Sequence, residues 1–534
     1  MFYLFGILLL GIVVLVHEFG HFIVARLCGV RVEVFSIGFG KALCKLKRGD
    51  TEYRISLVPL GGYVKMSGEN PAEQDEDKNK DIDPNLLFSH KKWWQKVCIV
   101  FAGPLFNILF TALVLFVVSF FRLTAPSSLI EHVDPEGPAA AAGMMDGDTI
   151  VRMGGHEVKV WDDITPPLTD LYENGSCRSL PVEVERDGKL ITLDVHPQID
   201  TYEDDFGDEQ SRCVLGVVRA PADATIINMN NYPNLKNGDK ILSVDGVETD
   251  RFYKLKKLVE KPFHEMKLIR DGKEMTVTFD QEGGFKKPEL LHGGLIISSV
   301  EKDGYAEKIG IRVGDAIIGI NGIGITAPFK FFSEMRKLKN DDPVKLEIFR
   351  DGERQNIDFA LKSETQVNEM TGMTSQKIKW DARFAFDYNV PEITARRGNP
   401  VGYTFKYAVT ETKKMFVLTV KGFWYMISGR VSVKSVGGPI MIFDITKRAA
   451  ELGADYFLYI MAVISINLGI INLMPIPVMD GGYIVIYTIE GIRRKPISPK
   501  LLQRLLVVGM VILFALMALA MTNDISRFFK VFNG

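Results

Sequence analysis

The residues best suited to chemistry lie near the N-terminus, where the chain reads His17-Glu18-Phe19-Gly20-His21. On an α-helix, His17 and His21 are one turn apart and share a face, so both imidazoles can reach one metal ion. Glu18 lies beside them and can take a proton from a water molecule bound to that metal. Such a short motif also occurs by chance, so its surroundings must decide between a metal centre and an incidental match.

The motif follows an almost wholly apolar run, residues 2–16, which is typical of a membrane-spanning helix. Ionisable side chains are costly at that depth and mark functional sites. Two imidazoles and a carboxylate in such a helix therefore favour a metal centre. The apolar runs long enough to cross a bilayer are Phe2–Leu27, Val97–Phe121, Tyr456–Met479 and Leu501–Met521.

The charge distribution indicates a membrane protein of several domains. The chain has 534 residues with 64 Lys+Arg and 66 Asp+Glu, so no global charge bias points to nucleic acid. Basic residues concentrate in Gly29–Lys96 and in the loop between the last two apolar runs, which the positive-inside rule assigns to the cytoplasm. Both termini and the region Thr124–Lys414 are then expected outside. The N-terminus has no basic segment and no obvious cleavage site, so we expect the first run to remain as an anchor.

A catalytic zinc site needs a third protein ligand besides His17 and His21. Among the other histidines, five fall in the expected outer region, and His90 falls in a polar cytoplasmic stretch. We therefore expect a carboxylate. The third apolar run ends in a single acidic residue, Asp480, which is the candidate.

The chain around Asp480 cannot form a regular helix, because Pro475 and Pro477 interrupt it. Non-helical backbone at membrane depth is tolerated only where protein or a polar cavity satisfies it. A plain helix end with a proline stop is the alternative. Asp480 reaches the side of His17 provided that Met415–Ser428 is an interfacial amphipathic helix and does not cross the membrane.

The outer region contains one pattern three times. In each copy a Gly-Asp turn leads into a strand, and an Arg-Asp-Gly turn follows later in the chain. The three copies are Gly147-Asp148 with Arg186–Gly188, Gly238-Asp239 with Arg270–Gly272, and Gly314-Asp315 with Arg350–Gly352. An Asp-Gly pair between alternating apolar runs predicts a hairpin. The pattern therefore predicts three small β-rich modules.

These modules resemble PDZ domains of the bacterial protease type, which bind extended peptides at a sheet edge. The third module matches best and has a possible carboxylate loop at Gly294, Leu295 and Ile296. The second lacks the Ala-Gly that precedes the turn in the first and is degenerate. A role as spacers that bind nothing is the alternative.

The cysteines bear on the compartment. Cys177 and Cys213 both fall in the outer region and could pair there if it is oxidising, which the residues alone leave open. Cys28, Cys44 and Cys98 are expected to be reduced. Since none shows C-x-x-C spacing, a cysteine metal site is not expected.

Across nearly the whole chain these motifs resemble the site-2 protease family of intramembrane zinc metalloproteases. The resemblance rests on H-E-F-G-H in the first apolar run, Ala102-Gly103-Pro104-x-x-Asn107 in the second, the PDZ-like modules, and N-x-x-P-x-P-x-x-D-G ending at Gly481 in the third. It implies Zn²⁺ as cofactor and proteolysis near the cytoplasmic face of the bacterial inner membrane. It implies these roles: His17, His21 and Asp480 as ligands, Glu18 as general base, and Asn467, Asn472, Pro475 and Pro477 as residues that hold substrate.

The resemblance also implies a transmembrane protein as substrate, such as an anti-sigma factor or a remnant signal peptide. It makes Val30–Met66 a membrane-associated β-hairpin that offers an edge to that substrate, with an ordinary cytoplasmic hairpin as the alternative. Two features depart from the family pattern. The chain has three modules where relatives usually have one or two, and Tyr483 stands where relatives often have His.

The expected fold class is a polytopic α-helical membrane protein with four transmembrane helices, a membrane-associated β-hairpin and β-rich extracytoplasmic PDZ-like domains. We expect the domains at 1–121 (first two spans), 122–200, 201–284 and 285–365 (PDZ-like), 366–454 (linker and interfacial helix) and 455–534 (last two spans). The rival to an intramembrane protease is a non-enzymatic PDZ scaffold or receptor in the lipid bilayer, with a vestigial metal site.

Overall fold

The computed structural model describes residues 2–69, 82–121, 124–173, 175–203, 208–219, 223–280, 284–326, 328–367, 374–385, 393–396, 400–430 and 437–533. The chain forms two compact units. The helical unit contains Met1–Leu123 and Asn399–Gly534, and the β-rich unit contains Thr124–Val367 and Thr374–Gly398.

The α-helices of the described residues follow one another from the N-terminus to the C-terminus. They are α1 (Phe2–Leu27), α2 (Trp93–Phe121), α3 (Pro138–Ala141), α4 (Thr165–Leu171), α5 (Phe252–Leu258), α6 (Tyr305–Lys308), α7 (Pro328–Arg336), α8 (Pro400–Ile427), α9 (Pro439–Leu452), α10 (Ala454–Asn472), α11 (Asp480–Arg493) and α12 (Pro499–Asn533). Within the described ranges, four of them are long and apolar enough to cross a membrane: α1, α2, α10 and α12. These helices contain the four apolar runs of the sequence, except that α10 ends at Asn472.

Two long strands, β1 (Val32–Arg48) and β2 (Thr51–Met66), form the predicted hairpin after α1. The hairpin curls back on itself, because Ile37 of β1 pairs with both Ile55 and Gly62 of β2. The first half of β1 therefore lies between the two halves of β2. Phe22 of α1 packs on this sheet, with its ring centroid 5.2 Å from that of Phe35.

The strands of the β-rich unit are short, as its turn-rich sequence predicts. They are β3 (Thr124–Pro126), β4 (His132–Val133), β5 (Thr149–Met153), β6 (His156–Glu157), β7 (Tyr172–Glu173), β8 (Ser176–Cys177), β9 (Leu180–Arg186), β10 (Lys189–Val195), β11 (Gln198–Glu203), β12 (Glu209–Val214), β13 (Val217–Val218), β14 (Ile226–Asn228), β15 (Lys240–Val244), β16 (Val247–Glu248), β17 (Glu265–Arg270), β18 (Lys273–Thr278), β19 (Leu290–His292), β20 (Ile297–Val300), β21 (Ala316–Ile320), β22 (Ile323–Gly324), β23 (Pro343–Arg350), β24 (Glu353–Ala360), β25 (Ser363–Val367), β26 (Thr374–Ile378), β27 (Ala382–Phe384) and β28 (Thr394–Arg396).

Three four-stranded antiparallel sheets repeat along this unit, and each contains one predicted hairpin. Their strand orders are β10-β9-β5-β6, β16-β15-β17-β18 and β22-β21-β23-β24. The Asp-Gly turns are tight, since Asp187, Asp271 and Asp351 have φ near 50° and the following glycines are also left-handed. The three hairpins read from the sequence are thereby confirmed.

The repeated aspartate and arginine of the sequence pattern meet in every module. Arg270 donates from Nε and Nη2 to the two carboxylate oxygens of Asp239, both at 2.7 Å, and Asp239 is 1% exposed. The corresponding pairs are Arg186–Asp148 and Arg350–Asp315. The second module thus keeps the internal ion pair although it lacks the Ala-Gly segment.

Each module is completed by a short strand that follows its sheet in the chain. The pairs are β4 with β13, β14 with β19, and β20 with β27. Those closing strands reach Val218, His292 and Phe384, so the modules end later than the boundaries 200, 284 and 365 expected from the sequence. The physical reason is that strands of two or three residues carry no alternating pattern.

Cross-links and ion pairs hold the β-rich unit together. Cys177 and Cys213 form a disulfide with a Cα–Cα distance of 5.9 Å, which settles the pairing that the sequence left open. Arg251, at the start of α5, forms a buried ion pair with Glu131 of the first module. At its two ends, β3 pairs with β28, so the unit has a two-stranded stem.

Most of the segment Met415–Ser428 forms the second half of a longer helix, α8, which begins at Pro400 and ends at Ile427. Ala408 and Met415 of α8 are buried against Leu115 of α2 and Ile466 of α10. Lysines interrupt the apolar pattern of α8, so the sequence indicates only its second half. Lysine is nevertheless a good helix former, and the helix continues through these residues. α8 therefore packs along two of the helices that carry the candidate site.

Candidate metal centre

The two histidines of the first motif face each other on α1. Their Nε2 atoms are 3.2 Å apart, and His17 is buried. Asp480 approaches the same point from α11: its Oδ2 lies 3.1 Å from His17 Nε2 and 3.6 Å from His21 Nε2. The three donor atoms lie within 4.8 Å of one another, although Asp480 is far away in sequence.

A tight turn between α10 and α11 delivers Asp480 to this point. Val478 has φ 95°, a conformation that a β-branched residue rarely adopts. A Cβ on Gly481 would lie 2.2 Å from the carbonyl oxygen of Leu473, and one on Gly482 would lie 2.3 Å from that of Ile476. The turn therefore folds back onto the start of α11 so closely that only glycine fits there.

Helix α2 fixes the orientation of His21 and leaves room for both rings. His21 Nδ1 lies 2.9 Å from the carbonyl oxygen of Ile99, so a proton on Nδ1 has an acceptor and Nε2 is directed at Asp480. A Cβ on Gly103 would lie 2.3 Å from His21 Nε2. The glycine of the Ala-Gly-Pro motif thus makes space for the histidines.

The hairpin passes beside the candidate base. A Cβ on Gly62 of β2 would lie 3.1 Å from Cγ of Glu18, so the backbone of β2 lies directly against this side chain. This part of β2, Gly61–Met66, pairs with β1 on one side. This segment is the outermost strand of the curled sheet, and its other edge pairs with no strand among the described residues.

The residues that the resemblance assigned to substrate binding lie in two places. Asn472, the last residue of α10, has its Nδ2 3.2 Å from His17 Nε2. Asn467 is one and a half turns earlier, and its Oδ1 accepts a hydrogen bond of 2.8 Å from Thr419 Oγ1 of α8. Pro475 is exposed in the turn before Asp480, and Pro477 is half-buried there.

Two of the predicted peptide-binding residues of the third module lie in its interior, and the third, Ile296, is half-buried. Gly294 and Leu295 are buried in a short turn between β19 and β20, and the carbonyl of Ile296 accepts a hydrogen bond from Ala385 at 2.6 Å.

Sequence reasoning assigned no role to three residues that contact this centre or its asparagines: Gly103, Asn107 and Thr419. The first two belong to the Ala-Gly-Pro-x-x-Asn motif, which the sequence shows without indicating what its residues contact. Nothing in the pattern around Thr419 indicates its contact with α10.

The residues at the centre fit a zinc ion. Two imidazole nitrogens and a carboxylate oxygen are ligands that zinc takes in catalytic sites, where a fourth position stays open. Asp480 Oδ2 is buried and makes no hydrogen bond among the described residues, although it faces both Nε2 atoms. A cation at this point would satisfy that oxygen, which supports a metal-binding role.

Comparison with known proteins gives one consistent result. The model of Peptidase family M50 matches residues 5–516. The regulator of sigma-E protease RseP of Escherichia coli (strain K12) is 30% identical, with 98% of this chain and 97% of the relative covered. Protease RseP of Yersinia pestis is 29% identical with the same coverage, as is a Vibrio cholerae protein named as a zinc metalloprotease. A PDZ domain of Listeria monocytogenes aligns with 17% of this chain and 92% of its own, at 20% identity and a TM-score of 0.14.

Proposed function

Because the chain belongs to peptidase family M50, it is a zinc intramembrane metalloendopeptidase of regulated proteolysis, and we propose the residues that do its chemistry. His17, His21 and Asp480 hold the zinc ion, and Glu18 is the general base. The observation that carries this proposal is the convergence of three donor atoms from two separate elements to within 4.8 Å. Membership of a peptidase family goes against the non-enzymatic scaffold.

A zinc ion bound there would supply a Lewis acid for the scissile carbonyl and for the attacking water. Glu18 takes the proton of the attacking water and passes it to the leaving amine. Asn472 is close enough to His17 to donate its amide hydrogens to a peptide held at the centre. Glu18 thus transfers the proton, and Asn472 positions the substrate.

A transmembrane substrate hides its backbone carbonyls in its own helix, so it has to unwind before hydrolysis. The outer edge of β2 lies beside Glu18 and pairs with no other strand among the described residues, so an unwound segment can add there as a strand. Asn467 can hold the same segment with Nδ2, since its Oδ1 is already engaged by Thr419.

The topology that we propose has four transmembrane helices in the bacterial inner membrane. The basic residues of Gly29–Lys96 place the loop after α1 in the cytoplasm, and the PDZ-like modules and both termini then lie outside. The substrates proposed are transmembrane segments of anti-sigma factors or remnant signal peptides, in keeping with relatives named as regulators of sigma-E.

The substitution Glu18→Gln tests this assignment. It should abolish cleavage of a transmembrane reporter in proteoliposomes while the protein keeps about one zinc per chain, because the ligands are untouched. The control Glu52→Gln removes a carboxylate that pairs with Arg54 on the hairpin and should leave activity unchanged. Full activity of Glu18→Gln would refute the role of Glu18, and wild-type protein without zinc would refute the ligand set.

A further inference from the structure

Asn107 of α2 is fully buried, and its side chain faces the second nitrogen of His17. Its Nδ2 lies 3.2 Å from His17 Nδ1. The main-chain carbonyl of Asn107 accepts hydrogen bonds from Thr111 Oγ1 at 2.9 Å and from Ser465 Oγ of α10 at 3.0 Å. The residue is therefore held in place by contacts that do not involve its amide group.

The chemistry of a histidine ligand fixes which amide atom must face the ring. A neutral imidazole carries one N–H, so a ring that binds a metal through Nε2 carries its hydrogen on Nδ1. In the geometry described, Oδ1 of Asn107 is buried without a hydrogen bond. Rotating the amide by half a turn exchanges Nδ2 and Oδ1 in the same space and presents an acceptor to the ring.

We propose that Asn107 is a positioning residue of the metal centre, whose Oδ1 accepts the Nδ1–H of His17 and directs the Nε2 lone pair at the metal. This inference rests on the proposed zinc site. It gives the two histidines matching supports from α2, since His21 Nδ1 lies 2.9 Å from the carbonyl oxygen of Ile99. For His21 the acceptor is main chain, and for His17 it is a side chain that substitution can remove.

The decisive comparison is between Asn107→Leu and Asn107→Asp in the full-length protein. Leucine keeps the volume but has no acceptor, so zinc affinity should fall by about 10–100-fold, the usual effect of losing a group that orients a ligand. Aspartate restores an acceptor and should keep affinity within about threefold of wild type. Leu113→Ala, on the same helix with a side chain that is 57% exposed, should also leave zinc affinity unchanged.

Zinc affinity is measured by competition with a chelator, independently of proteolysis, and thermal melting monitored by circular dichroism verifies folding. Wild-type zinc affinity in Asn107→Leu, or an equal loss in folded Asn107→Asp, would overturn the proposal. Failure of the zinc site itself gives a different result, because wild type would then bind no zinc or His17→Ala would still bind it. The two failures are therefore distinguishable.

Discussion

At the scale of single residues, the centre depends on a glycine as much as on its ligands. A Cβ on Gly103 would lie 2.3 Å from His21 Nε2 and 2.8 Å from His17 Cε1. Gly103→Ala must therefore push both rings off their positions. Since misplacement by about an ångström costs roughly a hundredfold in rate, we expect such a loss in cleavage of a transmembrane reporter.

The matched control for Gly103→Ala is Leu113→Ala, on the same helix. Its side chain is 57% exposed in the structure, and it should keep wild-type activity. Wild-type turnover by Gly103→Ala would contradict the packing described for α1 and α2.

The site residues that could be predicted from the sequence are those marked by spacing on one helix or by topology. His17, Glu18 and His21 follow from spacing on one helix, and Asp480 follows from topology and elimination. Asn107 could be read only as part of a motif, because its contact with His17 depends on how two distant helices pack.

At the scale of elements, each of the three β-rich modules contains one ion pair whose aspartate is buried. Asp239 is 1% exposed, so removing Arg270 leaves an uncompensated carboxylate inside the second module. Breaking a buried pair in this way costs about 3–5 kcal/mol. Arg270→Met should lower the opening free energy of β15 and β17 by that amount, measured by amide hydrogen exchange of the full-length protein.

The exposed pair Arg212–Asp200 is the control for that experiment. Arg212 is 58% exposed, and surface pairs contribute little, so Arg212→Met should leave exchange in β11 and β12 nearly unchanged. Equal effects of the two substitutions would show that the repeated pair is not what stabilises the modules.

Elements were predictable where turn chemistry is local. The Asp-Gly hairpins were found because two residues dictate the turn. The closing strands β13, β19 and β27 were not found, since they are short and pair with strands distant in the chain. The start of α8 at Pro400 was not predicted, because charged residues in its first half interrupt the apolar pattern.

At the scale of the whole molecule, the chain enters and leaves the β-rich unit through the two-stranded stem of β3 and β28. Pro126 of β3 pairs with Thr394 of β28, so these two residues are neighbours across an antiparallel ladder. An Asn-Gly dipeptide can join such a pair as a two-residue hairpin. Replacing residues 127–393 by Asn-Gly should therefore remove the modules and leave α1, α2, α8 and the metal centre in place.

This deletion tests whether the β-rich unit restricts access to the centre. In the proposed topology, the modules share the outer side of the membrane with any outer domain of a substrate, and steric exclusion would reject bulky ones. The deleted protein should bind zinc, cleave a reporter with a short outer segment as wild type does, and also cleave a reporter with an intact outer domain. Glu18→Gln in the deleted protein is the control for contaminating proteases. If the deleted protein still rejects the bulky reporter while cleaving the short one, selection lies in the helical unit.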